Sequence, residues 1–115
     1  MNPKDLEKVC AKWPGVTFDV KWGADFVASV GGKMFAATGD DGKGGISFKV
    51  PDDLFLAMTE QPGIIPAPYA ARFKWVLVQE PKKHAKQWLE QNIRTSYELA
   101  LAKLPKKSRE KLGAA

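Results

Sequence analysis

The sequence predicts a single α+β domain in which helices pack on one face of an antiparallel β-sheet. Between residues 16 and 50, short segments of alternating apolar and polar residues follow one another, which is typical of strands. Apolar residues at helical spacing occur near both ends of the chain. Strands in succession with helices around them are typical of the α+β class, and 115 residues suit one domain.

The first half of the chain predicts a helix and a four-strand meander. The helix begins at Asn2-Pro3, a capping side chain followed by a proline at the first turn, and ends before Pro14-Gly15. The strands are predicted at residues 16–20, 25–30, 33–38 and 46–50. Gly31-Gly32 predicts a tight hairpin between the second and third strands, and residues 39–45 are predicted to form a flexible glycine-rich loop.

The second half predicts two further helices and one strand. A helix begins at Pro51-Asp52, the last strand covers residues 73–79, and the longest helix covers residues 81–104. Residues 61–71 include Pro62, Pro66 and Pro68, which predicts an irregular connector. The predicted order is therefore α-β-β-β-β-α-β-α, with the domain at residues 1–104 and a basic tail at residues 105–115.

The positive charge is concentrated in the second half of the chain. The formal net charge is +5. Residues 1–60 carry seven Lys/Arg and nine Asp/Glu, whereas residues 61–115 carry eleven and four. This asymmetry is typical of a protein that binds a polyanion, although a basic surface can also serve solubility alone. The chain has no apolar segment of about 20 residues and no leader-like N-terminus, which predicts a cytoplasmic protein.

The residue types do not predict an enzyme, a cofactor site or a metal site. Cys10 and His84 are the only cysteine and histidine, and neither has a catalytic partner nearby in sequence. Asp40-Asp41 and Asp52-Asp53 are adjacent pairs without the spacing of metal ligands. We therefore expect no catalytic residue, no cofactor and no metal.

The order and spacing of several short motifs resemble the MmcQ/YjbR family of small bacterial proteins. The similarity covers roughly residues 3 to 104. The motifs are Pro14-Gly15, Trp22-Gly23, Val30-Gly31-Gly32-Lys33-Met34-Phe35, Ser47-Phe48-Lys49-Val50, Pro66 with Tyr69, Trp75, and Ser96-Tyr97.

This resemblance implies a fold like that of CyaY, the bacterial frataxin, and a role as a "double wing" DNA-binding protein. A histidine commonly precedes the family tryptophan, but Lys74 stands before Trp75 here. A site built around that histidine is therefore not expected, whereas a cation facing phosphate is. Iron binding of the frataxin type is not expected either, because lysines offset the acidic residues of the first helix.

Five cations are the predicted DNA contacts, since Lys and Arg supply most of the affinity for a duplex by neutralising phosphates. Lys33 beside the Gly31-Gly32 turn and Lys43 in the 39–45 loop are the predicted tip residues of the wings. Residues predicted to extend this surface are Lys49, Arg72 and Lys74. Asp40 and Asp41 next to Lys43 would repel phosphate, so this loop could equally be a solvated turn.

Two other groups of cations are less decisive. Along the last helix, Lys86–Glu90, Glu90–Arg94 and Arg94–Glu98 are all four residues apart and are predicted to form ion pairs. The tail cations Lys106, Lys107, Arg109 and Lys111 face one acidic residue, Glu110, and are more available for non-specific contact.

The aromatic residues and prolines leave an alternative open. Trp75 and Trp88 are predicted to lie in the core, and Tyr97 to point inward with its hydroxyl bonded. Trp22 could either pack at the rim or stack on a base. A groove beside Pro66, Pro68 and Tyr69 would instead indicate a module that binds a protein or a small ligand. We expect a monomer with DNA as its partner and no contact with membranes.

Overall fold

The computed structural model describes residues 2–21, 25–39, 45–68 and 70–113. Within these ranges there are four α-helices: α1 (Pro3–Cys10), α2 (Phe55–Thr59), α3 (Lys86–Ala102) and α4 (Lys106–Lys111). The strands are β1 (Val16–Lys21), β2 (Asp25–Val30), β3 (Lys33–Gly39), β4 (Ile46–Lys49), β5 (Ile64–Pro66) and β6 (Trp75–Val78). Short 3-10 helices cover Asp52–Leu54, Ala71–Phe73 and Pro81–Lys83.

The six strands form one antiparallel sheet in the order β1-β2-β3-β4-β6-β5. Strands β2 and β3 form the predicted hairpin, in which Val30 pairs with Lys33 across Gly31 and Gly32. Both glycines have positive φ, 56° and 80°, which the tight two-residue turn requires. The register of this hairpin shifts between Ala28 and Ser29, so that Phe35 has no partner in β2.

The helices cover one face of the sheet and form the core with it. The register places Ala28, Ala36, Phe48 and Val76 on the covered face, where all four are fully buried. They belong to one apolar cluster that includes the helical residues Leu6, Cys10, Met58, Leu89, Ile93, Tyr97 and Ala100. The predicted α+β class with helices on one face of an antiparallel sheet is confirmed.

Two elements lie outside the predicted order α-β-β-β-β-α-β-α. The segment expected to be irregular contains strand β5, so that prediction is wrong for residues 64–66. Pro66 is compatible with this strand because β5 lies at the edge of the sheet, where a missing N–H leaves no ladder bond unmade. The basic tail forms α4, and Leu112 at its end packs against the core.

The long C-terminal helix starts later than its apolar pattern predicted. Residues Pro81–Lys83 form a 3-10 turn, and His84 and Ala85 are extended, with ψ of 151° and 137°. The extended backbone interrupts the helical hydrogen bonds, so α3 begins at Lys86. In the described ranges, no helix has the length and apolar character that a membrane span requires.

Candidate nucleic-acid interface

Four of the five predicted contact residues lie at one end of the sheet. Lys33 begins β3, Lys49 ends β4, and Lys74 directly precedes β6. Antiparallel pairing of Ala36 with Phe48 and of Lys49 with Trp75 brings these strand ends together. Arg72 lies in the 3-10 turn just before Lys74. The structure therefore gathers cations that are far apart in the sequence.

The fifth predicted residue, Lys43, lies outside the described residues, as do Trp22 and Tyr69. The strand residues that flank its segment, Gly39 and Ile46, lie at the end of the sheet opposite to Lys33. The groove predicted beside Tyr69 stays a prediction.

Helices α3 and α4 bring further cations to the end that carries Lys33. Leu104, after α3, covers the hairpin so closely that a Cβ on Gly31 would lie 2.5 Å from its Cδ1. Leu112, after α4, lies 2.8 Å from the corresponding position on Gly15, the residue before β1. We call this region the basic end; its cations are Lys33, Lys49, Arg72, Lys74, Lys103, Lys106, Lys107, Arg109 and Lys111.

Ion pairing separates the basic end from the rest of the molecule. The ion pairs in the described residues are Lys83–Glu80 at 3.1 Å, Lys86–Glu90 at 3.9 Å and Arg94–Glu98 at 3.6 Å. Two of the three helical pairs predicted from the sequence are confirmed, and Glu90–Arg94 is not among the pairs. Within the described ranges, no cation of the basic end has a carboxylate within 4.0 Å, although Asp52, Asp53 and Glu110 lie in this region.

Lys49 is held at the basic end in the neighbourhood of other cations. Its ammonium group donates a hydrogen bond to the Phe73 carbonyl at 2.6 Å. Burial lowers the pKa of Lys49, and nearby Lys103 and Lys74 lower it further, against the opposing effect of Asp52. A phosphate bound here would relieve repulsion among these cations, so the electrostatics favour an anionic ligand.

A buried hydroxyl fixes the strand end that carries Lys49. Ser96 of α3 is fully buried, donates to the Phe35 carbonyl at 2.6 Å and accepts from the Lys49 backbone N–H at 3.0 Å. It therefore bridges β3 and β4 just beyond Ala36 and Phe48, the last residues that pair in their ladder. The sequence prediction did not identify this role for Ser96.

Tyr97, the neighbour of Ser96, holds the start of β1 against the core. Its hydroxyl donates to the Pro14 carbonyl at 2.7 Å, and its ring packs against Phe35 and Trp13. Burial raises the pKa of Tyr97. The prediction that this tyrosine packs inward with its hydroxyl bonded is confirmed.

The turn at residues 72–74 places an aromatic ring among the cations. The Arg72 guanidinium carbon lies 4.8 Å from the centroid of the Phe73 ring, and the Lys74 ammonium lies 5.2 Å from that of Phe55. Phe73 is nevertheless 54% exposed. Sequence reasoning missed Phe73; an aromatic residue between Arg72 and Lys74 was the available signal.

The two tryptophans predicted to lie in the core are both packed into the protein: Trp75 is buried, and Trp88 is partly buried against the core cluster. Trp75 is 8% exposed, but its register with Lys49 places it on the face opposite to the helices. His84 stacks on half-buried Trp88, with ring centroids 4.7 Å apart. In the ranges described, no three His, Cys, Asp or Glu side chains form a group that could hold a metal ion.

Comparison with known proteins identifies the family. A family model described as YjbR matches residues 11–99. The crystal structure of Deinococcus radiodurans protein DR2400, which carries the domain DUF419, is 24% identical with a TM-score of 0.87, covering 99% of this chain and 89% of that one. A Pseudomonas syringae protein is 21% identical with a TM-score of 0.70, covering 87% and 99%. These two structures share the fold.

No curated protein matches the chain. The YjbR family model spans well over half of the 115 residues. The chain therefore belongs to the YjbR family.

Proposed function

We propose that this protein binds DNA through the basic end, mainly by contacts to phosphates and with little base specificity. The observation that carries the proposal is the convergence of unpaired cations from the hairpin, β4, the 72–74 turn and the C-terminal helices. In this proposal the protein acts as a monomer in the bacterial cytoplasm and catalyses no reaction.

The physical basis is the release of counterions from the DNA backbone. Each Lys or Arg that neutralises a phosphate displaces a condensed cation, which makes binding favourable at low salt. Cations that already pair with a carboxylate in the protein gain less from such a contact. In the described residues, the cations of the basic end have no carboxylate partner, whereas Lys83, Lys86 and Arg94 pair with Glu80, Glu90 and Glu98.

The test is a titration of a random-sequence duplex at two salt concentrations. Each phosphate contact contributes about 0.9 to the slope of log K against log salt, so five contacts predict a roughly 500-fold loss of affinity between about 50 and 200 mM salt. A second duplex of unrelated sequence should bind with similar affinity. Absence of binding at about 50 mM salt would contradict the proposal.

A further inference from the structure

We infer that Phe73 is a stacking platform for an unpaired DNA base, so that the basic end prefers single-stranded to duplex DNA. This inference rests on the proposed function, because it assigns the form of DNA that the same site prefers. The evidence for it is the position and the exposure of the Phe73 ring.

The backbone around Phe73 is held so that the ring points outward. Lys74 closes the 3-10 turn in the left-handed conformation with φ of 64°, which is uncommon for a residue other than glycine. The backbone N–H of Lys74 donates to the Ala71 carbonyl at 2.9 Å, and the Lys49 ammonium binds the Phe73 carbonyl. The turn is thereby fixed at the backbone of Phe73 and of Lys74.

Phe73 is a large aromatic side chain that is exposed to solvent. The large apolar side chains that are exposed in the described residues are Val20, Leu54, Leu56 and Phe73, and Phe73 alone is aromatic. Arg72 stacks on the ring, and about half of the side chain remains open to solvent. Leaving so large an apolar surface in water is unfavourable, and a flat partner would cover it.

The neighbours of the ring match the backbone of a nucleic acid strand. Lys49, Arg72 and Lys74 lie beside Phe73, and Lys103 lies near Lys49. Proteins that bind single strands combine such cations with aromatic rings on which bases stack. In a duplex the base faces are occupied by neighbouring bases, so the ring contributes only when a base is free.

The experiment compares a 20-nucleotide oligo(dT) with a duplex of equal length, using the intact protein and three variants. Phe73→Ala removes the ring, and Phe73→Leu keeps an apolar side chain without the aromatic face. Val20→Ala is the matched control, because Val20 is 57% exposed and pairs with Phe26 toward the end of the sheet opposite to Val30 and Lys33. Both Phe73 variants should bind oligo(dT) roughly tenfold more weakly, with duplex affinity changed less than about twofold.

The outcomes separate this inference from the proposed function. Oligo(dT) binding by Phe73→Ala and Phe73→Leu at the level of the intact protein would overturn the inference while DNA binding stands. An equal loss for duplex and oligo(dT) would also overturn it, since the ring would then contact something other than an unpaired base. If the intact protein binds neither DNA at about 50 mM salt, the proposed function itself fails.

Discussion

Two groups of cations in this protein have different surroundings. Along the segment from Glu80 to Glu98, Lys83, Lys86 and Arg94 each have a carboxylate three or four residues away. At the basic end the cations come from distant segments and have no carboxylate within 4.0 Å in the described part of the chain. Local spacing on a helix neutralises the first group, whereas the fold concentrates the second group without neutralising it.

The two regions also differ in what holds them in place. The pairs of the Glu80–Glu98 segment join residues three or four positions apart, Lys83 with Glu80 in the 3-10 turn and the other two along α3. The basic end depends on buried contacts between elements: Leu104 on Gly31, Leu112 near Gly15, and the Ser96 hydroxyl between β3 and β4. The cations of the basic end are thus held in place by contacts between several elements of the fold.

The largest expected effect is on stability and concerns Ser96. Ser96→Ala leaves the Phe35 carbonyl and the Lys49 N–H without a partner, which should lower the free energy of unfolding by about 2–4 kcal/mol. Thr95→Ala is the matched control, because the exposed Thr95 hydroxyl bonds only to the Gln91 carbonyl of its own helix. This control should change stability by less than about 0.5 kcal/mol in urea unfolding. Equal losses in the two variants would show that the bridge does not support the basic end.

A smaller effect is expected when the carboxylates of the paired segment are removed. The double variant Glu80→Gln/Glu90→Gln frees Lys83 and Lys86 and raises the net charge by two. Because exposed ion pairs are weak, duplex affinity should rise less than about threefold, and the salt slope should change by less than one. Titration of the same random duplex measures this change. A rise of tenfold or more would show that pairing, rather than position in the fold, decides which cations bind.

Much of the fold could be predicted from local patterns. Alternation predicted the strands of the meander, Gly31-Gly32 predicted the hairpin, and the spacing of four predicted two of the helical ion pairs. Strand β5 was missed because prolines at Pro62, Pro66 and Pro68 mask a three-residue edge strand. A strand that contains proline is compatible mainly with a sheet edge, and the local sequence does not show which segment will lie at an edge.

The site was predicted less completely, because its residues meet only in three dimensions. Lys33, Lys49, Arg72 and Lys74 were predicted one by one, but their common location follows from the strand register. Lys103 lies with them because Leu104, just after α3, packs against Gly31. The cations of α4 lie at the same end because Leu112 packs near Gly15. No pattern within a short window reports such contacts.

The most direct test of the account removes the same number of positive charges from the basic end and from the opposite end of the sheet. Lys33→Gln/Lys103→Gln removes two charges from the basic end, and Lys82→Gln/Lys83→Gln removes two from the opposite end, both at exposed residues. Cys10 is fully buried, and its burial, together with Glu7, raises its pKa to about 12. Absence of thiol labelling at neutral pH therefore confirms that each variant is folded.

The measured quantity is the salt dependence of random-duplex binding by these two variants. The account predicts that the slope of log K against log salt falls by about 1.8 for Lys33→Gln/Lys103→Gln and stays unchanged for Lys82→Gln/Lys83→Gln. An equal fall in both variants would contradict it, because binding would then follow net charge and not the basic end.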